Sequence, residues 1–193
     1  MELFYYDISQ NQEIAWEKLF DDLNNTTDYN PYCCHQDNYL VFKHIILSLL
    51  LEKEIILVDF DFSEDEIQKL TGSTDVNQYR FPISSSDKPD IKDKQDLINR
   101  IINVGPNWSI TLFTSGTTGL PKKVVHTFQS ITRFVKISET NKVNVWGFAY
   151  NPTHMAGIQV FFQALLNGNL IIRLFGISKE QISEIHFTQY QCT

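Results

Sequence analysis

The feature that most constrains the fold is the run SITLFTSGTTGLPKK at residues 109–123. Residues 109–113 are mostly apolar or β-branched and read as a short buried strand. They lead into Thr114, Ser115, Gly116, Thr117, Thr118 and Gly119, followed by Leu120, Pro121 and the lysines Lys122 and Lys123. Glycines let a backbone turn sharply and approach a ligand closely. Successive N–H groups in such a turn form an anion-binding nest. The hydroxyls add neutral donors and the lysines add charge, a combination suited to a polyphosphate. After Val124, Val125 and His126, the spacing of Phe128, Ile131, Phe134 and Val135 predicts a helix of about three turns. Its N-terminus is expected close behind Lys122 and His126, where its free N–H groups would favour phosphate.

On either side of this loop the pattern alternates between helix and strand. Residues 11–23 carry Ile14, Trp16, Leu19, Phe20 and Leu23 at helical spacing. Asp37 is a good N-cap for a second helix, in which Tyr39, Phe42, Ile45, Ile46, Leu49 and Leu50 share one face. Residues 54–59 (EIILVD) read as a strand central in a parallel sheet. Ser63 and Glu66 make a capping box, so a helix runs from there to about Leu70, and Gly72 closes it. The polar stretch 82–95 reads as a long exposed loop, and Leu97, Ile98, Ile101 and Ile102 predict a helix that stops at Gly105 and Pro106. Beyond the loop come a strand at 143–149, a helix at 155–166 ended by Gly168, and a strand at 169–174. A second capping box at 178–181 and a strand from Ile185 follow. The rhythm predicts α/β layering, with a compact N-terminal part at 1–108 and a loop-bearing segment at 109–176.

Composition excludes several functions. Hydrophobic residues make up 42% of the chain, with 14 Phe and 8 Tyr, so a packed core is expected rather than disorder. The net charge of −7 argues against a nucleic-acid or anionic-membrane surface. Residues 45–51 form the longest apolar stretch, too short to span a bilayer, and the first residues lack the basic and apolar regions of a signal peptide. A cytoplasmic, reducing setting is expected. Cys33, Cys34 and His35 are adjacent, but no spaced second ligand pair accompanies them, so no metal site is expected there. His44 is expected at the margin of its helix.

Known phosphate motifs fit poorly. A Walker A loop needs G-x-x-x-x-G-K-S/T, and a dinucleotide fingerprint needs G-x-G-x-x-G; neither is present. Residues 113–122 instead resemble, position by position, the phosphate loop of the adenylate-forming, AMP-binding enzymes. These include acyl-CoA synthetases, luciferases and the adenylation domains of peptide synthetases. Their pattern is roughly Y/F-T-S-G-T/S-T-G-x-P-K-G, and Lys123 stands where the family usually has Gly. A second segment resembles the family's P-x-x-H-x-x-G turn through Pro152, His154 and Gly157, about thirty residues further on.

The resemblance implies a layered α/β/α sheet-and-helix architecture, that of the family's N-terminal domain, here incomplete. It implies a two-step reaction. A small-molecule carboxylic acid attacks the α-phosphate of ATP carrying Mg2+ and releases pyrophosphate. A thiol of CoA or of a carrier protein then takes the acyl group. Thr114, Ser115, Gly116, Thr117, Thr118, Gly119 and Lys122 would hold the ATP phosphates, with Lys122, Thr117 and Thr118 acting catalytically. His154, Met155 and Gly157 would line the acyl pocket. The family's Y-G-x-T-E motif, ribose-binding Asp, hinge and catalytic C-terminal Lys have no counterpart in the sequence, which therefore resembles an N-terminal part, inactive alone and prone to self-association. The short N-terminus is similar to that of some o-succinylbenzoate–CoA ligases. Two other readings stay open. One is a non-catalytic nucleotide- or partner-binding module on the same fold. The other is an unrelated protein with a look-alike loop, favoured if the loop does not sit between a strand and a helix.

Overall fold

A computed structural model of the chain describes residues 2–114, 121–174 and 176–178. The centre of the glycine loop, all but Ser178 of the capping box expected at 178–181, and the strand expected from Ile185 lie outside the described residues.

Two four-stranded sheets each combine strands from early and late in the chain. The first holds β1 (Leu3–Asp7), β2 (Gln12–Ala15), β9 (Val145–Phe148) and β10 (Leu170–Arg173) in the order β2-β1-β10-β9. The second holds β4 (Tyr32–Cys33), β5 (Ile55–Leu57), β7 (Ser109–Thr114) and β8 (Lys122–Thr127) in that order. A small antiparallel pair joins β3 (Asp28–Tyr29) to β6 (Phe81–Pro82). The helices are α1 (Trp16–Asn24), α2 (Asn38–Leu50), α3 (Glu64–Thr71), α4 (Lys94–Ile102), α5 (Phe128–Thr132) and α6 (Met155–Asn167).

The core follows from helices that are apolar on more than one side. Nine of the 13 residues of α2 are buried, as expected for a helix enclosed by other elements. Its Phe42 stacks on Phe161 of α6 with ring centroids 4.5 Å apart, and also meets Tyr5 of β1 and Phe148 of β9. On the other side of α6, Phe162 packs on Trp108 and Phe128, which flank the open end of the β7–β8 pair. Trp108 Nε1 donates to Ser48 Oγ of α2 at 2.9 Å. One apolar cluster thus runs from the first sheet through α2 and α6 to Ile55, Leu57, Ile110 and Leu112 of the second. Helix α3 covers the opposite face of the second sheet, with Ile67 and Leu70 against Ile56, Val58 and Phe113. The second sheet is therefore layered between helices, as expected for the fold class. Among the described residues no helix is long and apolar enough to cross a membrane.

Local signals hold at several ends. Asp37 caps α2 by accepting from Tyr39 N at 2.8 Å. Ser63 and Glu66 form the expected capping box, and Gly72 ends α3 with φ +80. β5 lies between β4 and β7, parallel to both.

Three expectations are corrected. Residues 12–15 are not helical: they pair antiparallel with β1 around a turn in which Asn11 takes φ 50, and the helix starts only at Trp16. Helix α4 begins at Lys94, inside the stretch expected as loop, because Asp93 caps it by accepting from Asp96 N. The third concerns the glycine loop, which lies between two strands rather than between strand and helix. β8 pairs antiparallel with β7 from Thr114↔Lys122 to Ser109↔Thr127. Helix α5 starts only after Thr127, at the far end of β8, about 17 Å from Lys122 at ~3.4 Å per residue. It has only five residues, and its N-terminus lies at the far end of β8 from Lys122 rather than close behind it.

Candidate functional site

The carboxyl ends of β5 and β7 meet the N-terminus of α6 and enclose an open cleft of about 480 Å³. This is where open α/β sheets place ligands. Leu112, Phe113 and Thr114 of β7 form one wall, with Pro121 and His126 beside them across the hairpin. Asp59 and Phe62, after β5, form the floor, and His154, Met155 and Ala156 at the start of α6 form the opposite wall.

Of the residues expected to act, Thr114, His154 and Met155 line this cleft. Thr114 is exposed, and its hydroxyl makes no hydrogen bond among the described residues. Lys122 is exposed and lies directly across the hairpin from Thr114. Side chains alternate along a strand, so Lys122 shares its face of β8 with His126, a cleft residue, while Lys123 projects from the other face. Ser115, Gly116, Thr117, Thr118 and Gly119 lie outside the described residues. Gly157 is not among the cleft-lining residues. A Cβ there would come within 2.2 Å of the Asn151 carbonyl oxygen, so the glycine lets α6 pack against the turn before it.

The turn before α6 carries a polar cluster centred on Asp59. Its Oδ2 accepts from Asn151 Nδ2 at 2.9 Å and lies 3.0 Å from His154 Nε2. Thr153 Oγ1 bridges Asn151 Oδ1 at 2.8 Å and Asp59 Oδ2 at 3.3 Å. A carboxylate oxygen accepts, so His154 donates Nε2–H to Asp59 in this contact. His154 itself remains 57% exposed, whereas the Asp59 side chain is 8% exposed. Asp59 Oδ1 is buried without a partner among the described residues. Sequence reasoning missed Asp59. The available signal was an acidic residue at the carboxyl end of an otherwise apolar parallel strand.

A second cluster lies apart from the cleft. Cys33, His35 and His44 each bring one potential ligand atom within 4.8 Å of the others. His44, expected at a helix margin, is partly buried with Nε2 2.6 Å from the Asn30 carbonyl. Burial pushes its imidazole pKa down to about 4, lowers that of His35 and raises that of the Cys33 thiol.

Comparison with known proteins bears on the cleft. The family model for AMP-binding enzymes matches residues 50–183. No curated protein matches the chain. Among solved structures, the o-succinylbenzoate CoA synthetase (MenE) of Bacillus subtilis bound to a product analogue superposes with a TM-score of 0.64 at 14% identity, covering 100% of this chain and 45% of that one. The luciferase-like enzyme of the mealworm Zophobas morio gives 0.55 at 15% identity, with 94% and 52% covered. ATP-bound MatB of Rhodopseudomonas palustris gives 0.56 at 13% identity, with 94% and 44% covered. At these identities the likeness is one of fold, and the chain spans about half the length of each. The loop lies between two strands, the condition set above for a look-alike, but the family match covers the strand, the loop and the α6 turn together. The chain is a member of the AMP-binding enzyme family.

Proposed function

We propose that the chain supplies the phosphate-binding and acyl-binding parts of an ATP-dependent acid–thiol ligase, as the N-terminal part of that enzyme's adenylating domain. In this reading Thr114 and the loop residues Ser115, Gly116, Thr117, Thr118 and Gly119 bind the β- and γ-phosphates through hydroxyl and amide donors. Lys122 neutralises charge that builds on the departing pyrophosphate, the kind of preorganised electrostatic stabilisation that contributes most in enclosed sites. Mg2+ would enter with ATP. His154, held by Asp59, orients the acyl carboxylate for in-line attack, and Met155 packs on the acyl chain. CoA or a carrier-protein thiol then accepts the acyl group. Such a ligase would act in the cytoplasm, where these substrates meet.

One observation carries this reading: the two ends of the glycine loop, Thr114 and Pro121, face His154 and Met155 across a single cleft. Phe62, Phe113 and Leu112 make its remaining walls apolar and partly aromatic, which favours an aromatic carboxylic acid; o-succinylbenzoate is the first to test. The experiment is ATP–pyrophosphate exchange by the full-length protein with a panel of aromatic and aliphatic acids. Exchange that depends on an aromatic acid is expected. ATP binding without exchange for any acid would favour a non-catalytic nucleotide-binding role.

A further inference from the structure

We propose that Cys33, His35 and His44 form a zinc site, separate from the cleft, that ties the end of β4 to α2. Cys33 is the last residue of β4, His35 lies in the connection that follows, and His44 is on the second turn of α2. The sequence shows only C-C-H; the third ligand arrives because α2 folds back along the strand.

The donor set and its geometry both suit zinc. One thiolate and two imidazoles are ligands typical of Zn2+. The three ligand atoms lie within 4.8 Å of one another. An ion at the centre of an equilateral triangle of that side would sit about 2.8 Å from each atom. Zn–N and Zn–S distances of roughly 2.0–2.3 Å then require each atom to move inward by about 0.5–0.8 Å, within reach of small side-chain rotations.

The surroundings prepare one ligand. The Asn30 carbonyl can only accept, so His44 Nε2 carries its proton and Nδ1 carries the lone pair. A histidine that donates one ring N–H to a backbone carbonyl and keeps the other nitrogen bare is the usual arrangement around a bound metal. Beside the cluster is a cavity of about 180 Å³ lined in part by Cys34, His35 and His44. It leaves room for a water as fourth ligand. Two cations are near, Lys43 and Arg80, but Arg80 is paired with Asp28 at 3.1 Å, and Asp37 also faces His35. The competing explanation is packing alone, since the His35 and His44 rings lie 5.7 Å apart and Tyr29 meets His44 edge-on. Packing accounts for the rings and for a buried cysteine in the apolar cluster; it does not require the thiol and both imidazoles to converge within 4.8 Å.

The test is titration of the tag-free, folded 193-residue chain with Co2+ and then Zn2+, in a Cys34→Ser, Cys192→Ser background so that Cys33 is the only thiol. The expected result is one Co2+ per chain, with the intense visible bands of tetrahedral cobalt and a thiolate-to-cobalt charge-transfer band, both removed by Zn2+. His35→Gln should weaken Zn2+ binding at least about tenfold, the lower end of what losing even an outer-shell partner costs. Because Cys33 is buried, Cys33→Ser risks the fold. His35→Gln, whose ring is partly exposed, is therefore the deciding variant, with circular dichroism confirming that it is folded. Absence of the charge-transfer band from the folded chain would overturn the site. So would equal Zn2+ affinity of a folded His35→Gln variant.

Discussion

Lys122 and Lys123 are neighbours in sequence but project from opposite faces of β8: Lys122 shares its face with the cleft residues Thr114 and His126, and Lys123 stands opposite Phe113. In the full-length enzyme, Lys122→Ala should therefore raise KM for ATP or lower kcat far more than Lys123→Ala. A charge-assisted contact to phosphate contributes about 1.5–3 kcal/mol, or roughly one to two decades in kcat/KM. Equal ATP-dependent kinetics for the two variants would remove Lys122 from the site. His154 and Asp59 separate in the same way. His154 is largely exposed, so His154→Ala should change acyl selectivity or adenylation rate while leaving Tm nearly unchanged. Asp59→Ala takes the acceptor from His154 and Asn151 and should also lower stability by about 1–3 kcal/mol. Thermal melts beside steady-state kinetics distinguish the two roles. A large loss of Tm in His154→Ala with unchanged kinetics per folded molecule would make His154 a packing residue.

At the scale of elements, the start of α6 sets where His154 and Met155 stand, and Gly157 sets the start of α6. A methyl group there would meet the Asn151 backbone at 2.2 Å, and backbone yields little. Gly157→Ala should cost about 1–3 kcal/mol, typical of overpacking, and should lower activity by displacing His154. Changed selectivity at full stability would instead make Gly157 a pocket wall. Elements with local signals were legible: α2 from its cap and apolar stripe, α3 from its capping box, α6 from its terminal Gly168, and β5 and β7 from short apolar runs. Elements defined by a partner were not. Residues 12–15 and 122–127 become strands only because β1 and β7 offer edges to pair with. The same reason hides both polar clusters. Asp59 and His154 are 95 residues apart, and His44 reaches Cys33 only through the return of α2. Residue type and spacing find a glycine- and hydroxyl-rich loop suited to phosphate, but they do not find contacts that topology alone creates.

For the molecule as a whole, the described residues form two walls of a cleft open to solvent, which the proposed function assigns to phosphate and to an acyl group. More than half of the matched MenE structure has no counterpart in this chain. Association must overcome a translational and rotational cost of roughly 4–15 kcal/mol. A few charge-assisted bonds, formed by a chain of net charge −7, leave little beyond that. The 193-residue chain is therefore expected to bind ATP with a Kd of about 1 mM or weaker and to show no pyrophosphate exchange. It should also self-associate. Among the described residues β9 is the last strand of its sheet, and Phe134 and Val143, which precede it in the chain, are 68% and 75% exposed. Unpaired strand edges next to apolar patches favour contact between copies. Calorimetric titration with Mg·ATP, exchange assays with the same acid panel, and sedimentation at several concentrations measure the three outcomes separately. Micromolar ATP binding or robust exchange by this chain would mean that the loop and the α6 turn suffice for adenylation. A monodisperse monomer at high concentration would mean that the exposed face of β9 is stable in water without a partner.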